Sequence, residues 1–102
     1  MKDKSKKVSI ILSAYNAQDT VGNAIQSILN QTYENIELLI LNDGSNDNTQ
    51  KIIETFESEK IKVFKNKKNL GLTKSLNILI NNSEGQYIAR QDADDVSFKD
   101  RL

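Results

Sequence analysis

The 102-residue sequence contains no cysteine, no histidine and no proline. Without cysteine there is no disulfide framework, no thiolate nucleophile and no zinc–thiolate site. Without histidine there is no Ser-His-Asp triad and no imidazole ligand. A metal ion, if one is used, must be held by oxygen. The lack of proline removes any Pro-rich linker. No apolar run approaches the ~20 residues of a membrane span. Val8 to Leu12, interrupted by Ser9, falls short of the ~7 apolar residues a signal-peptide core requires. Neither sign of charge is in excess: 14 basic and 14 acidic side chains give a formal net charge of zero, which argues against a nucleic-acid partner. What remains is 37% hydrophobic and 27% charged, the composition of one globular domain rather than of a disordered chain.

Two hydrophobic periods alternate along that domain. Residues 1–7 read as a charged, solvated tail, and residues 8–102 as the folded unit. Val8 to Leu12 is short and rich in β-branched residues: a buried strand. Val21, Ala24, Ile25, Ile28 and Leu29 mark one helical face, with Asp19 or Thr20 as its N-cap. Ile36 to Leu41 is a second buried strand. Asn46, Asp47 and Asn48 offer caps for a helix whose apolar face is Ile52, Ile53 and Phe56. Ile61 to Phe64 is half polar and reads as a strand nearer an edge. Leu72, Leu76, Leu79 and Ile80 mark a third helix, Gly85 lies just beyond its end, and Gln86 to Ala89 is a fourth strand.

The order β-α-β-α-β-α-β predicts an α/β fold: an open, mainly parallel sheet with helices on both faces. Such sheets bind ligands beyond the carboxyl ends of their strands. That directs attention to Ser13 to Asn16, Asn42 to Ser45, Asn66 to Gly71, and Gln91 to Asp95. In the last of these, Asp92, Asp94 and Asp95 crowd three carboxylates into four residues, which repel one another unless a cation sits among them. The residues alone leave open a solvated acidic turn or a cap on a helix beginning near Ser97. A calcium EF-hand does not fit, because Val96 and Ser97 stand where a ligand and the turn glycine are needed. Asp43 reads equally as a turn residue or as a ligand contact. Tyr15 is either a cover for the sheet edge or a ring that stacks on a nucleobase. Six lysines from Lys60 to Lys74 occur without an intervening acid. They fit a solvated edge, with phosphate contact by Lys68 or Lys74 as the weaker reading. No Gly-rich dinucleotide or Walker sequence is present.

Several segments, in order and at characteristic spacing, carry a resemblance: Val8 to Asn16, Ser27 to Tyr33, Asn42 to Asp47, Asn69 to Leu72, Leu76-Asn77, Glu84-Gly85, Ala89 to Asp95, and Arg101-Leu102. Together they resemble the N-terminal half of the family 2 glycosyltransferases, as found in bacterial enzymes that build surface polysaccharides. The resemblance implies the Rossmann-like nucleotide-binding half of the GT-A fold. It also implies a nucleotide-diphosphate sugar donor, usually a UDP-sugar, a Mn²⁺ or Mg²⁺ ion, and a saccharide acceptor. Ser13, Ala14 and Tyr15 match the segment lining the uracil pocket, and Asp43 matches the acid that hydrogen-bonds the base. Asp92 and Asp94 match the DxD motif, the first near the ribose and the second on the metal, with Asp95 as an alternative ligand. Asn42 departs from the pattern, since many relatives carry a second acid there. The catalytic base and most of the acceptor site belong to the family's second half, so a chain ending at Leu102 is expected to be the donor-binding part. A full-length member of this kind is expected in the cytoplasm, peripheral at the inner membrane face. Rival readings are a nucleotidyltransferase, which would need a Gly-rich loop where Ser13 to Asn16 stands, and a non-catalytic nucleotide-sugar-binding or dimerisation module. A third is a receiver domain, which would need paired acids after the first strand.

Overall fold

Buried β-branched runs joined by amphipathic helices leave the backbone one economical arrangement, a parallel sheet covered on both sides. The computed structural model describes residues 6–94. Its elements are β1 (Val8–Ala14), α1 (Val21–Leu29), β2 (Ile36–Asp43), α2 (Thr49–Glu54), β3 (Ile61–Asn66), α3 (Leu72–Asn82) and β4 (Tyr87–Arg90). The sheet order is β3-β2-β1-β4, and every neighbouring pair is parallel. β2, apolar almost throughout, is buried along its whole length. The half-polar β3 lies at an edge, as its composition predicts.

α1 and α2 cover one face: Val21, Ala24, Ile25, Ile28 and Ile53 pack on Val8, Ile10, Leu12, Leu38 and Ile40. α3 covers the other, with Leu79, Leu76 and Ile78 against Ile11, Leu39, Leu41 and Phe64. Each such aliphatic side chain contributes about 1.5–3 kcal/mol on full burial. Ile80, expected on the apolar face of α3, turns outward and is exposed. It stands about 100° around the helix from the fully buried Leu79. Thr20 and Asn48 occupy the N-cap positions of α1 and α2 without a side-chain capping bond.

The chain steps outward from β1 through β2 to β3, then crosses back to lay β4 on the far side of β1. The direction of winding therefore reverses between β1 and β4. At such a switch point the loops diverge and open a crevice at the carboxyl ends of the two strands.

The amino end of the sheet is closed by a polar cluster. Glu37, 3% exposed, lies beside Ser9 in register. Its Oε2 accepts from Ser9 Oγ at 2.5 Å and from the Glu84 backbone N–H at 2.6 Å, and its Oε1 faces the Lys62 ammonium at 3.1 Å. Ser9 Oγ also accepts from the Gly85 N–H at 2.7 Å. A Cβ at residue 85 would stand 2.4 Å from that hydroxyl and 2.6 Å from Ser9 N. Glycine is thus what lets the chain enter β4 beside β1. The Lys7 carbonyl accepts from Gln86 N at 2.8 Å, so the last residue of the expected tail is tied to the start of β4. Burial alone would raise the Glu37 carboxyl, but the bonds from Ser9 and Glu84 and the Lys62 charge outweigh it and hold Glu37 below its ordinary value.

Glu37→Ala leaves the Ser9 hydroxyl and the Glu84 N–H without their acceptor. It is expected to lower stability by about 1–3 kcal/mol in urea unfolding at pH 7. Because folding depresses the Glu37 pKa from 4.5, its contribution is complete above that pH and is lost as the pH falls through the folded value. The gap between wild type and variant should therefore be constant near neutrality and narrow in acid.

Candidate functional site

Loop geometry at the carboxyl end of the sheet is governed by side chains that bond to backbone. Asn16, just after β1, has φ 48°, in the left-handed region that asparagine tolerates better than most residues. Its N–H donates to Ser45 Oγ at 2.9 Å, and its Oδ1 accepts from Asn46 N at 2.8 Å. The next residues repeat the exchange. Ala17 N donates to Thr49 Oγ1 at 2.8 Å, Gln18 N to Asp47 Oδ2 at 3.3 Å, and Asn48 N to Gln18 Oε1 at 3.2 Å. The β1–α1 and β2–α2 loops are in this way stitched together by bonds running in both directions. Asp47 anchors the stitch: its Oδ1 accepts from the Thr49 hydroxyl at 2.5 Å and from the Thr49 N–H at 2.9 Å. The Thr49 hydroxyl does most to hold its carboxyl below the usual range; burial opposes it, and the Thr49 and Gln18 backbone N–H groups add to the lowering. Asn42 is buried, donates to Gln50 Oε1 at 2.8 Å and accepts from Ser45 N at 3.1 Å. That pairing needs both ends of an amide.

Asp43 lies at the end of β2 and is 2% exposed. Its Oδ1 accepts from Asn66 Nδ2 at 2.9 Å and from Leu70 N at 2.8 Å. Its Oδ2 accepts from Asn69 Nδ2 at 3.1 Å and from Gly71 N at 3.0 Å. A carboxylate has about four acceptor positions, so these bonds fill it. Burial would raise Asp43, but the Leu70, Asn66 and Gly71 donors prevail and hold it below its ordinary value. The next residue, Gly44, has φ 73°, and a Cβ there would stand 2.4 Å from the Lys68 carbonyl carbon. The β3–α3 loop thus lies directly against the end of β2.

A cavity of about 440 Å³ opens where the winding reverses. Ser13, Tyr15, Asn16 and Ala17 form its β1 wall, Arg90, Asp92 and Asp94 its β4 wall, and Leu72 of α3 also borders it. Tyr15 is 47% exposed. The Arg90 guanidinium meets a single oxygen of Asp92, Oδ1, with Nε at 3.1 Å and Nη2 at 3.0 Å. Asp94 is exposed at the same opening. Among the described residues no three acidic side chains are grouped to enclose a metal ion. Two hard carboxylates at an open cavity nevertheless suit an ion such as Mg²⁺, which completes its shell with water and a ligand's phosphate oxygens.

Of the residues singled out in the sequence, Ser13, Tyr15, Asp92 and Asp94 therefore meet at one cavity. Ala14 is buried in β1 and does not border it. Asp43 does not border it either. It ends β2, one strand away from the switch point, and its acceptor positions are taken by the 66–71 loop. The resemblance implies a direct bond from Asp43 to a base; in the described structure its carboxylate bonds to the 66–71 segment. Asp95, the alternative ligand, lies outside the described residues, as do Ser97, Arg101 and Leu102. Lys68 and Lys74 are exposed and do not border the cavity. The sequence alone assigned no individual site role to Asn16, Leu72 or Arg90. Only Arg90 carried a usable signal, a cation two residues before an acidic run.

The carboxamide of Asp43→Asn would turn a donor toward groups that are themselves donors. The expected result is a loss of about 1–3 kcal/mol in thermal or urea unfolding, with faster amide exchange at Leu70 and Gly71 than elsewhere in the sheet. Unchanged exchange there would show that the loop does not depend on Asp43.

A model of the family described as "Glycosyl transferase family 2" matches residues 9–102. A Haemophilus influenzae protein named as an uncharacterized glycosyltransferase is 47% identical over 92 residues, covering 88% of this chain and 28% of that protein. The Escherichia coli protein named UDP-Glc:alpha-D-GlcNAc-diphosphoundecaprenol beta-1,3-glucosyltransferase WfgD is 38% identical over 95 residues, covering 93% of this chain and 38% of its own length. The chain thus spans well under half of these relatives. Among solved structures, Staphylococcus aureus TarS in complex with UDP superposes with a TM-score of 0.86 at 26% identity, over 92% of this chain and 29% of that one.

Proposed function

The chain belongs to glycosyl transferase family 2, and from that premise we propose that it is the donor-binding part of an enzyme moving a sugar from a UDP-sugar to a saccharide acceptor. The observation that carries this reading is the meeting of an exposed aromatic ring, Tyr15, with two carboxylates, Asp92 and Asp94, at one cavity on the switch point of the sheet. A nucleoside diphosphate has the matching halves, a flat base at one end and a charged diphosphate at the other. The TarS structure that this fold resembles holds UDP.

In this reading Tyr15 stacks on the base, a contact worth ~1–3 kcal/mol. Ser13 offers a hydroxyl beside it, and Ala14, being small and buried, sets the floor from which Tyr15 projects. Asp43 acts through the 66–71 loop and holds Leu72 in place. Asp92 faces the ribose, and Asp94 holds a Mn²⁺ or Mg²⁺ ion. When bound, the ion supplies positive charge against the diphosphate as the anomeric carbon–oxygen bond breaks. The acceptor hydroxyl attacks that carbon, and its proton passes to a carboxylate in the part of the relatives' length that this chain does not span.

The wider setting follows the relatives' names. One glucosyltransferase acts on a sugar linked to diphosphoundecaprenol, so we place the whole protein in bacterial surface-polysaccharide synthesis, cytoplasmic and peripheral at the inner membrane face. Among the described residues no helix is long and apolar enough to cross a membrane.

Thermal melts with UDP, GDP, CDP and ADP, each with and without Mn²⁺, test the donor assignment. UDP at 100 times its dissociation constant should stabilise the fold by ~2.7 kcal/mol and shift the melt more than the other nucleotides do. Mn²⁺ and UDP should tighten each other's binding by one common factor, and Asp94→Ala should abolish that coupling while the protein stays folded. Equal shifts for all four nucleotides would remove the uridine assignment. UDP affinity indifferent to Mn²⁺ in the wild type would remove the metal site.

A further inference from the structure

Arg90 is the one cationic side chain among the described residues of the cavity wall, and it stands among carboxylates. Its backbone is fixed: Arg90 lies opposite Ile11 at the end of the β1–β4 ladder, and Gln91 N donates to the Ile11 carbonyl at 3.0 Å. The guanidinium therefore issues from a hydrogen-bonded strand end, whereas Asp92 and Asp94 stand on the turn beyond it. Nε and Nη2 converge on Asp92 Oδ1 at 3.1 and 3.0 Å. This is not the parallel fork in which each carboxylate oxygen takes one N–H. Both donors grip one oxygen, Oδ1.

We propose that Arg90 is a positioning and charge-balancing residue of the cleft: it orients Asp92 and sets how strongly the site holds a divalent cation relative to a diphosphate. This inference rests on the donor-site reading above and deepens it. A cation built into an acidic site has effects of opposite sign on the two ligands. It repels Mn²⁺ and so weakens binding of the ion alone. It attracts the diphosphate, and a guanidinium suits phosphate oxygens geometrically as well as electrostatically. With Arg90 in place, neither the ion nor the nucleotide fills the site well without the other. Both groups of the Arg90–Asp92 pair are about half exposed (49% and 50%), so water and salt screen the effect, which should be read at low ionic strength.

The test is calorimetry of Mn²⁺ alone, of UDP without metal, and of UDP with saturating Mn²⁺, on wild type, Arg90→Gln and Arg90→Lys, with circular dichroism melts to confirm folding. Arg90→Gln should bind Mn²⁺ alone roughly two- to fivefold more tightly, the scale of an exposed charge pair. It should bind UDP without metal about tenfold more weakly, the loss of a charged hydrogen bond. Arg90→Lys keeps the charge and loses the grip on Oδ1. Its affinity for Mn²⁺ alone should match the wild type, while UDP binding is only partly restored. A merely structural role for Arg90 would move both affinities of Arg90→Gln in the same direction, and that outcome overturns the proposal. Unchanged affinities in Arg90→Gln, in a wild type that binds UDP and responds to Mn²⁺, overturn it while leaving the donor site standing. A wild type that binds neither UDP nor Mn²⁺ overturns the donor-site reading, and the role of Arg90 with it.

Discussion

Asp43 holds the carboxyl end of the sheet together. A buried carboxylate is costly unless its charge is met by donors, and here two backbone N–H groups and two asparagine amides meet it. All of those donors come from the 66–71 loop. The charge cannot be satisfied unless the loop lies against β2, and the loop can lie there only because Gly44 leaves room for the Lys68–Asn69 backbone. The start of α3, and with it Leu72 at the cavity, follows from that one constraint.

A second constraint acts from the other side. The loops after β1 and β2 exchange hydrogen bonds through Asn16, Ser45, Gln18, Asp47 and Thr49. Most are side chain to backbone, so each loop supplies partners that the other's N–H groups would otherwise seek in water. Tyr15 stands immediately before this stitched region. Its ring is half exposed, and the backbone that follows it is held by these bonds. A binding surface made in this way loses little further conformational freedom when a ligand arrives.

Buried and exposed carboxylates are used in opposite ways. At the amino end, Glu37 is enclosed, accepting from the Ser9 hydroxyl and the Glu84 backbone N–H and facing the Lys62 ammonium. At the carboxyl end, Asp92 and Asp94 remain exposed on a turn, and only Asp92 has a cationic partner among the described residues. A charge left in water at the mouth of a cavity costs the fold little and is available to a ligand. A carboxylate is thus structural where burial forces it to be paired, and open to solvent where the turn leaves it exposed.

The sequence by itself determined the element order, the parallel sheet with helices on both faces, the edge position of β3, and the four strand ends on which a site could be built. Hydrophobic period and strand composition are local properties, and they suffice for that. The family was legible too, because its motifs stand in order along nearly the whole chain. Strand order was decided only in three dimensions: nothing local in Tyr87 to Arg90 says that this strand pairs with β1 rather than β3. That choice places the switch point between β1 and β4, brings Tyr15 to Asp92 and Asp94, and leaves Asp43 one strand away. The partners of a carboxylate are likewise a tertiary matter. Asp43 and Asp92 look alike in the sequence, each at the end of a strand. The 66–71 loop buries the first, while the second stays in solvent, because hydrogen-bond donors from distant segments reach only one of them.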